Sequence, residues 1–265
     1  MSDVEHAASP EGGTKPFLEH LDDLRHSLMG VVLALIVAMV ICFFFVPDIL
    51  FVLTMPLTAT GKTPDQFLTI FEVMGGFFLH LKVALWSGAI LASPVILYYI
   101  GMFVFPGLTR KEKSVIFRYS GIIILLFGTG VVSCFLYVIP PALSIMFDFN
   151  EKLGVSFDKL VISSYVGYVL RILLAFGVSF ELPVIMFILG SLGLVNSKQL
   201  RSKRRHVIIG LLVFAMILTP PDFVTQILMA APMYVLYEIS IWLIYFKEKA
   251  RGDLDLIYND AIEDK

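Results

Sequence analysis

A series of apolar runs, most of them about as long as a bilayer is thick, is cut apart in this chain by proline, glycine and charge. The first extends from Leu28 to Val46 and stops at Pro47-Asp48. Proline removes a backbone donor there, and an aspartate resists transfer into hydrocarbon. About 20 consecutive apolar residues cross a membrane as a helix, because a helix satisfies its own backbone hydrogen bonds. Further runs occupy about 77–105, 119–139, 169–194, 207–219 and 223–246. The sequence therefore predicts an all-α integral membrane protein with six transmembrane helices. Composition agrees, at 58% hydrophobic and 16% charged residues, where soluble domains carry roughly 45–50% and about 25%.

Each boundary has a named breaker. A polar loop with Pro56, Gly61, Pro64 and Glu72 is expected after the first span, then Gly75-Gly76 and a helix in which Lys82 snorkels to the interface. Pro140-Pro141 should end the third span, and the polar stretch Asp148 to Lys159 should precede the fourth. The fifth run, Val207 to Leu218, is short: about 12 residues reach about 18 Å, against a hydrocarbon core of roughly 30 Å. Thr219-Pro220-Pro221-Asp222 then turns the chain into the sixth, so the last two spans form a short hairpin.

Residues 1–16, with Pro10, Gly12, Gly13 and several acids, are expected to be a disordered cytoplasmic lead-in without a cleavable signal. A single membrane domain is expected over 17–248 and a cytoplasmic tail over 249–265. Orientation follows from the bases. Arg110, Lys111, Lys113 and Arg118 lie between spans two and three, and Lys198, Arg201, Lys203, Arg204 and Arg205 lie between four and five. Lys247, Lys249 and Arg251 follow span six, whereas the alternate loops hold Lys62, Lys152 and Lys159. Both termini are therefore expected in the cytoplasm.

Several features resemble chemistry without supplying it. Gly61-Lys62-Thr63 lacks the glycine that a phosphate-binding loop needs five residues earlier, where Pro56 stands. Gly177-Val178-Ser179 has no histidine in spans five and six to serve as its base. The histidines at 6, 20, 26, 80 and 206 form no metal-binding pattern. Cys42 and Cys134 fall in separate apolar runs and are expected to be buried thiols. The expectation is a chain that is not an enzyme, needs no cofactor or metal, and binds no nucleic acid.

Two groups of residues ask for a role. Glu181, in Gly177-Val-Ser-Phe-Glu-Leu-Pro183, sits inside a span where an ionisable group costs about 2.5–3.5 kcal/mol on insertion scales. It is either satisfied locally, by Ser179 or by the carbonyl that Pro183 leaves unpaired, or a polar docking point for another membrane helix. Glu238 in span six is open to the same two readings. At the other end, Phe17-Leu-Glu-His-Leu-Asp-Asp-Leu-Arg25 has apolar residues at helical spacing, which predicts a short amphipathic helix ahead of span one.

Five ordered stretches together resemble one family, TatC, the multi-spanning receptor subunit of the twin-arginine protein translocase. They are His20-Leu-Asp-Asp-Leu-Arg25, Ser93-Pro-Val-Ile-Leu-Tyr98, the Phe103 to Glu112 turn, Ala175 to Pro183, and Leu218-Thr-Pro-Pro-Asp222-Phe-Val-Thr-Gln226. The resemblance covers nearly the whole chain. It implies an inner-membrane protein whose cytoplasmic face binds signal peptides bearing paired arginines. The implied positions are Asp23 and Glu112, with Arg25, Phe103, Asp22 and Glu19 beside them. The family commonly has Glu where this chain has Asp23. The resemblance also implies that Glu181 faces single-span partner subunits of the TatA and TatB type, with Glu238 a second candidate. Pro56, Asp222 and Gln226 match outer-loop positions tied to activity, Asp222 in a structural capacity. A homo-oligomer inside a larger complex, driven by the proton gradient, completes the expectation.

The chemistry is coherent, since a guanidinium is a planar fork that pairs bidentately with a carboxylate, whereas lysine offers a point charge. The alternative is a small-solute or ion carrier in which Glu181, Arg171 and Glu238 line a path at the midplane. Against it, the two halves show no internal repeat.

Overall fold

A computed structural model of the protein describes residues 17–61, 63–104, 110–152, 159–191, 193–218 and 223–263. Among these, five helical stretches are long and apolar enough to cross a membrane: Leu24–Phe44, Gly75–Gly101, Gly121–Lys152, Ile162–Ser191 and Gln226–Ala250. The first belongs to α1 (Phe17–Phe44), which carries the amphipathic head and the first apolar run as one continuous helix. Most of its apolar side chains, including Leu33, Ile36 and Val40, are exposed, as a lipid-facing helix requires.

The polar loop expected after span one is instead structured. Helix α2 (Val46–Ala59) starts with Pro47 in its first turn, where the missing N–H has no partner to lose. It buries Val46, Leu53, Pro56 and Leu57 while Phe51 and Val52 stay exposed. The alternation of apolar and small polar residues had the helical period; proline at 47 and 56 masked it. A four-residue helix, α3 (Pro64–Phe67), leads to strand β1 (Leu68–Thr69), which pairs in parallel with β2 (Leu160–Val161), Leu68 opposite Leu160.

Helix α4 (Gly75–Val104) runs back along α1. The two approach closely at Gly88, where a Cβ would lie 2.7 Å from the Met39 Cα, and at Gly30, where it would meet the Tyr99 ring at 2.5 Å. Helix α5 (Arg110–Ser133) continues through a π-helical turn (Cys134–Val138) into α6 (Ile139–Lys152). Pro140-Pro141 therefore does not end this helix. The π turn closes when the Ile139 N–H donates to the Cys134 carbonyl. This shifts the register so that both prolines fall in the first turn of α6, where no intrahelical N–H is needed.

Helix α7 (Ile162–Ser179) is the centre of the bundle, buried on nearly every side by α2, α4, α5, α9 and α10. The expected fourth span is thus broken: α7 ends at Ser179 and α8 (Leu182–Ser191) resumes after Phe180 and Glu181. Pro183 explains the break, having no N–H to bond the carbonyl of Ser179. After a turn through Gly193, whose φ of 73° suits glycine, α9 (Ser197–Leu218) returns. Helix α10 (Phe223–Glu263) packs on α8 and α9 and passes Pro232 without ending. The expected fifth span is the apolar half of α9, whose first half carries Lys198, Arg201, Lys203, Arg204 and Arg205. Cys42 and Cys134 are free and buried.

The connections alternate between two ends. The β1–β2 pair, the start of α4 and the start of α7 share one end. The head of α1, the α4–α5 junction, the α8–α9 turn and residues near Lys247 share the other, as the Gly30–Tyr99 approach and a Lys247–Ser191 hydrogen bond require.

Candidate functional site

The head end of the bundle gathers the positions that sequence reasoning singled out. Glu19 and Asp23 lie on the first turns of α1, Phe103 on the last turn of α4, and Glu112 on the first turn of α5. Helical backbone is described at all four; their side chains lie outside the described residues. Asp22 and Arg25 are exposed on α1. Asp22 accepts from the ring of His26 through its backbone carbonyl at 3.0 Å, with its carboxylate 3.6 Å away. Arg25 forms no ion pair among the described residues, so it is available to set the charge of this rim.

Glu181 occupies the break between α7 and α8 and is 2% exposed. The backbone there is secured without it: the Phe180 N–H donates to Phe176 and the Glu181 N–H to Val178. Ser179 does not satisfy its carboxyl, because the Ser179 hydroxyl donates to the Ala175 carbonyl at 2.7 Å. The backbone of Phe127 on α5 reaches the group, yet Oε1 has no hydrogen-bond partner among the described residues. The carboxyl borders a cavity of about 230 Å³ between α4, α5 and α8, lined by apolar side chains such as Leu97, Ile100, Ile123 and Ile188. Gly177 lets the Phe127 ring close over the helix, since a Cβ there would stand 2.5 Å from it. A buried oxygen with an unused acceptor beside an apolar cavity is suited to one polar group carried in on an apolar element.

Glu238 is placed differently. Its Oε2 accepts from Arg204 Nη2 at 2.7 Å and its Oε1 accepts from the Tyr234 hydroxyl at 2.7 Å. Both carboxylate oxygens are engaged within the α9–α10 hairpin. The sequence contained a signal for this pairing that composition alone did not expose: Arg204 and Glu238 stand equally far before and after Pro221, as partners across a hairpin must.

Gln226, in the first turn of α10, donates to the Leu212 carbonyl of α9 at 2.8 Å and ties the same hairpin at its other end. Asp222 lies outside the described residues. Pro56 is buried in α2, where the Tyr165 hydroxyl donates to the Leu53 carbonyl. Lys82 reaches toward the end of the bundle where α7 begins. Its ammonium donates to the Ser163 carbonyl at 2.8 Å, in space that Gly167 leaves open. Arg171 turns back to donate from Nε to the Gly167 carbonyl. With Arg171 and Glu238 both occupied locally, no chain of free charges runs with Glu181 among the described residues.

Comparison with known proteins places these features in a family. Residues 19–232 match the sequence model of the family described as Sec-independent protein translocase protein (TatC). The chain is 35% identical over 229 residues to the TatC protein of Carboxydothermus hydrogenoformans, spanning 86% of this chain and 92% of that protein. Against Escherichia coli TatC the identity is 35% over 230 residues, covering 86% and 88%. A crystal structure of the twin-arginine translocase receptor TatC is similar in fold, with a TM-score of 0.74 at 33% identity over 86% of this chain and 98% of that one.

Proposed function

The chain belongs to the TatC family of Sec-independent protein translocase proteins, and from that membership we propose that it is the receptor subunit of a twin-arginine translocase. In this reading its head end faces the cytoplasm and both termini lie there. The bases at 110–118, 198–205 and 247–251 support that orientation, because short cytoplasmic loops hold the excess of Lys and Arg. The α9–α10 hairpin supplies spans five and six in the inner membrane, with the apolar half of α9 short enough to thin the bilayer around it.

The signal peptide's paired arginines engage Asp23 and Glu112, with Asp22 and Glu19 completing the acidic rim and Phe103 and Arg25 shaping its edges. The supporting observation is that the backbone brings the head of α1, the last turn of α4 and the first turn of α5 to the same end of the bundle. Charged hydrogen bonds contribute about 1.5–3 kcal/mol each, so two cannot reach the roughly 8 kcal/mol of a micromolar complex. The peptide's apolar stretch therefore lies against the spans and supplies the remainder.

Glu181 is the docking point for single-span partner helices of the TatA or TatB type. Its unused acceptor and the apolar cavity beside it call for a helix presenting one polar donor on an apolar face. Export of folded cargo then draws on the proton gradient. The carrier reading finds no support in the relatives, nor in the local pairing of Arg171 and Glu238.

The decisive experiment is photo-crosslinking of the purified protein to a signal peptide carrying Arg-Arg or Lys-Lys. Wild type is expected to favour Arg-Arg, and Glu112→Lys to lose that preference. Unchanged crosslinking in Glu112→Lys would remove Glu112 from the site.

A further inference from the structure

Trp242, Tyr245 and Phe246 form one aromatic cluster on α10. Ring centroids lie 6.3 Å apart for Trp242 and Tyr245, 5.8 Å for Trp242 and Phe246, and 5.9 Å for Tyr245 and Phe246. Trp242 is 52% and Phe246 59% exposed. Helix α9 lays a cation across this platform: Arg201 Cζ stands 5.0 Å from the Tyr245 ring centroid and 6.0 Å from that of Trp242.

Lys198 and Arg205 lie one turn to either side of Arg201 on α9, and Lys249 one turn beyond Tyr245 on α10; all are exposed. Among the described residues, the acids nearest to them are engaged elsewhere. Glu238 pairs with Arg204, and Glu248 accepts from the backbone and hydroxyl of Ser197. Among the described residues, Lys198, Arg201, Arg205 and Lys249 form no ion pair.

We propose that this face is a binding site for the headgroup of an anionic phospholipid in the leaflet at the head end. The guanidinium of Arg201 is held beside the aromatic rings and has no carboxylate partner among the described residues, and a guanidinium matches a phosphate bidentately. Lys198, Arg205 and Lys249 add the surrounding positive charge that a net anionic headgroup requires. Trp242 and Phe246 give the acyl chains an apolar surface at the same depth, where aromatic belts mark the membrane boundary. Just above, Val207 begins the apolar half of α9, and Leu243 and Ile239 continue the exposed apolar face of α10. A free phosphate would use the cations alone; a lipid uses both surfaces. Basic pockets between helices bind such headgroups.

The sequence has two tryptophans, Trp86 and Trp242, so Trp86→Phe leaves Trp242 as the sole reporter. The full chain is reconstituted in phosphatidylcholine vesicles in which a minor fraction of lipid has brominated chains, on either phosphatidylglycerol or phosphatidylcholine. At equal fraction, brominated phosphatidylglycerol should quench Trp242 more strongly. Lys198→Gln with Arg201→Gln should reduce that preference by about fivefold per base removed, with helicity and detergent elution unchanged. Lys113→Gln with Arg118→Gln, on α5 at the same end, should leave it intact, and glycerol phosphate in the buffer should not relieve the quenching. Equal quenching by both lipids would overturn the proposal. So would an equal effect of the Lys113 and Arg118 substitutions, which would mean diffuse attraction, or relief by glycerol phosphate, which would mean an anion site without lipid.

Discussion

The Tyr165 hydroxyl of α7 donates a 2.7 Å hydrogen bond to the Leu53 carbonyl of α2, in the turn of helix that Pro56 disturbs. Proline has no N–H, and its ring crowds the carbonyl four residues earlier. Here that carbonyl belongs to Val52, next to Leu53; the phenol adds a donor from outside the helix within this turn and pins the half-buried outer helix to the centre of the bundle.

Tyr165→Phe removes one donor from the Leu53 carbonyl and should cost about 0.5–1.5 kcal/mol, read as a lower unfolding midpoint in detergent. An unchanged midpoint in Tyr165→Phe would mean that the ring acts by packing alone.

The Arg204–Glu238 pair should behave as a coupled unit. Arg204→Gln and Glu238→Gln are each expected to destabilise the α9–α10 hairpin, and the double variant should lose less than the two combined, by about 0.5–3 kcal/mol. Co-purification of partner subunits should survive Glu238→Gln and fail in Glu181→Leu. Loss in both would restore Glu238 to the docking surface.

Gly88 permits the α1–α4 crossing. Gly88→Val places its side chain against the Met39 backbone, and overpacking of this kind costs about 1–3 kcal/mol. Gly210→Ala, with nothing within 4 Å of the added carbon, should be neutral or slightly stabilising. Thermal unfolding of the two variants side by side checks the contrast.

Lengthening the apolar half of α9 by one helical turn between Val207 and Leu218 should impair transport while leaving signal-peptide binding intact. Transport assays in inverted vesicles, paired with peptide crosslinking, separate the two. Parallel loss of both would point to a misfolded hairpin.

What was legible in the residues was local or compositional. Apolar runs such as Leu28 to Val46 announce lipid-facing helix wherever the chain folds, because transfer of side chains and backbone bonding within one helix need no distant partner. The family was legible for a similar reason, since five short stretches keep their order. Prolines misled where their effect depends on register: Pro140-Pro141 fall in the first turn of α6 and stop nothing, whereas Pro47 and Pro183 stand just past the ends of α1 and α7.

A helical membrane chain, its basic loops and a carboxylate inside an apolar run can be read residue by residue. Which charges are already satisfied depends on how the helices pack. Arg204 closes on Glu238, Lys82 on the Ser163 carbonyl and Arg171 on its own helix, whereas the Glu181 Oε1 is left open toward a cavity. Hydrophobicity is a property of each residue, but a hydrogen bond needs two groups within about 3 Å, and residues far apart in the chain meet at that distance only when the helices have packed.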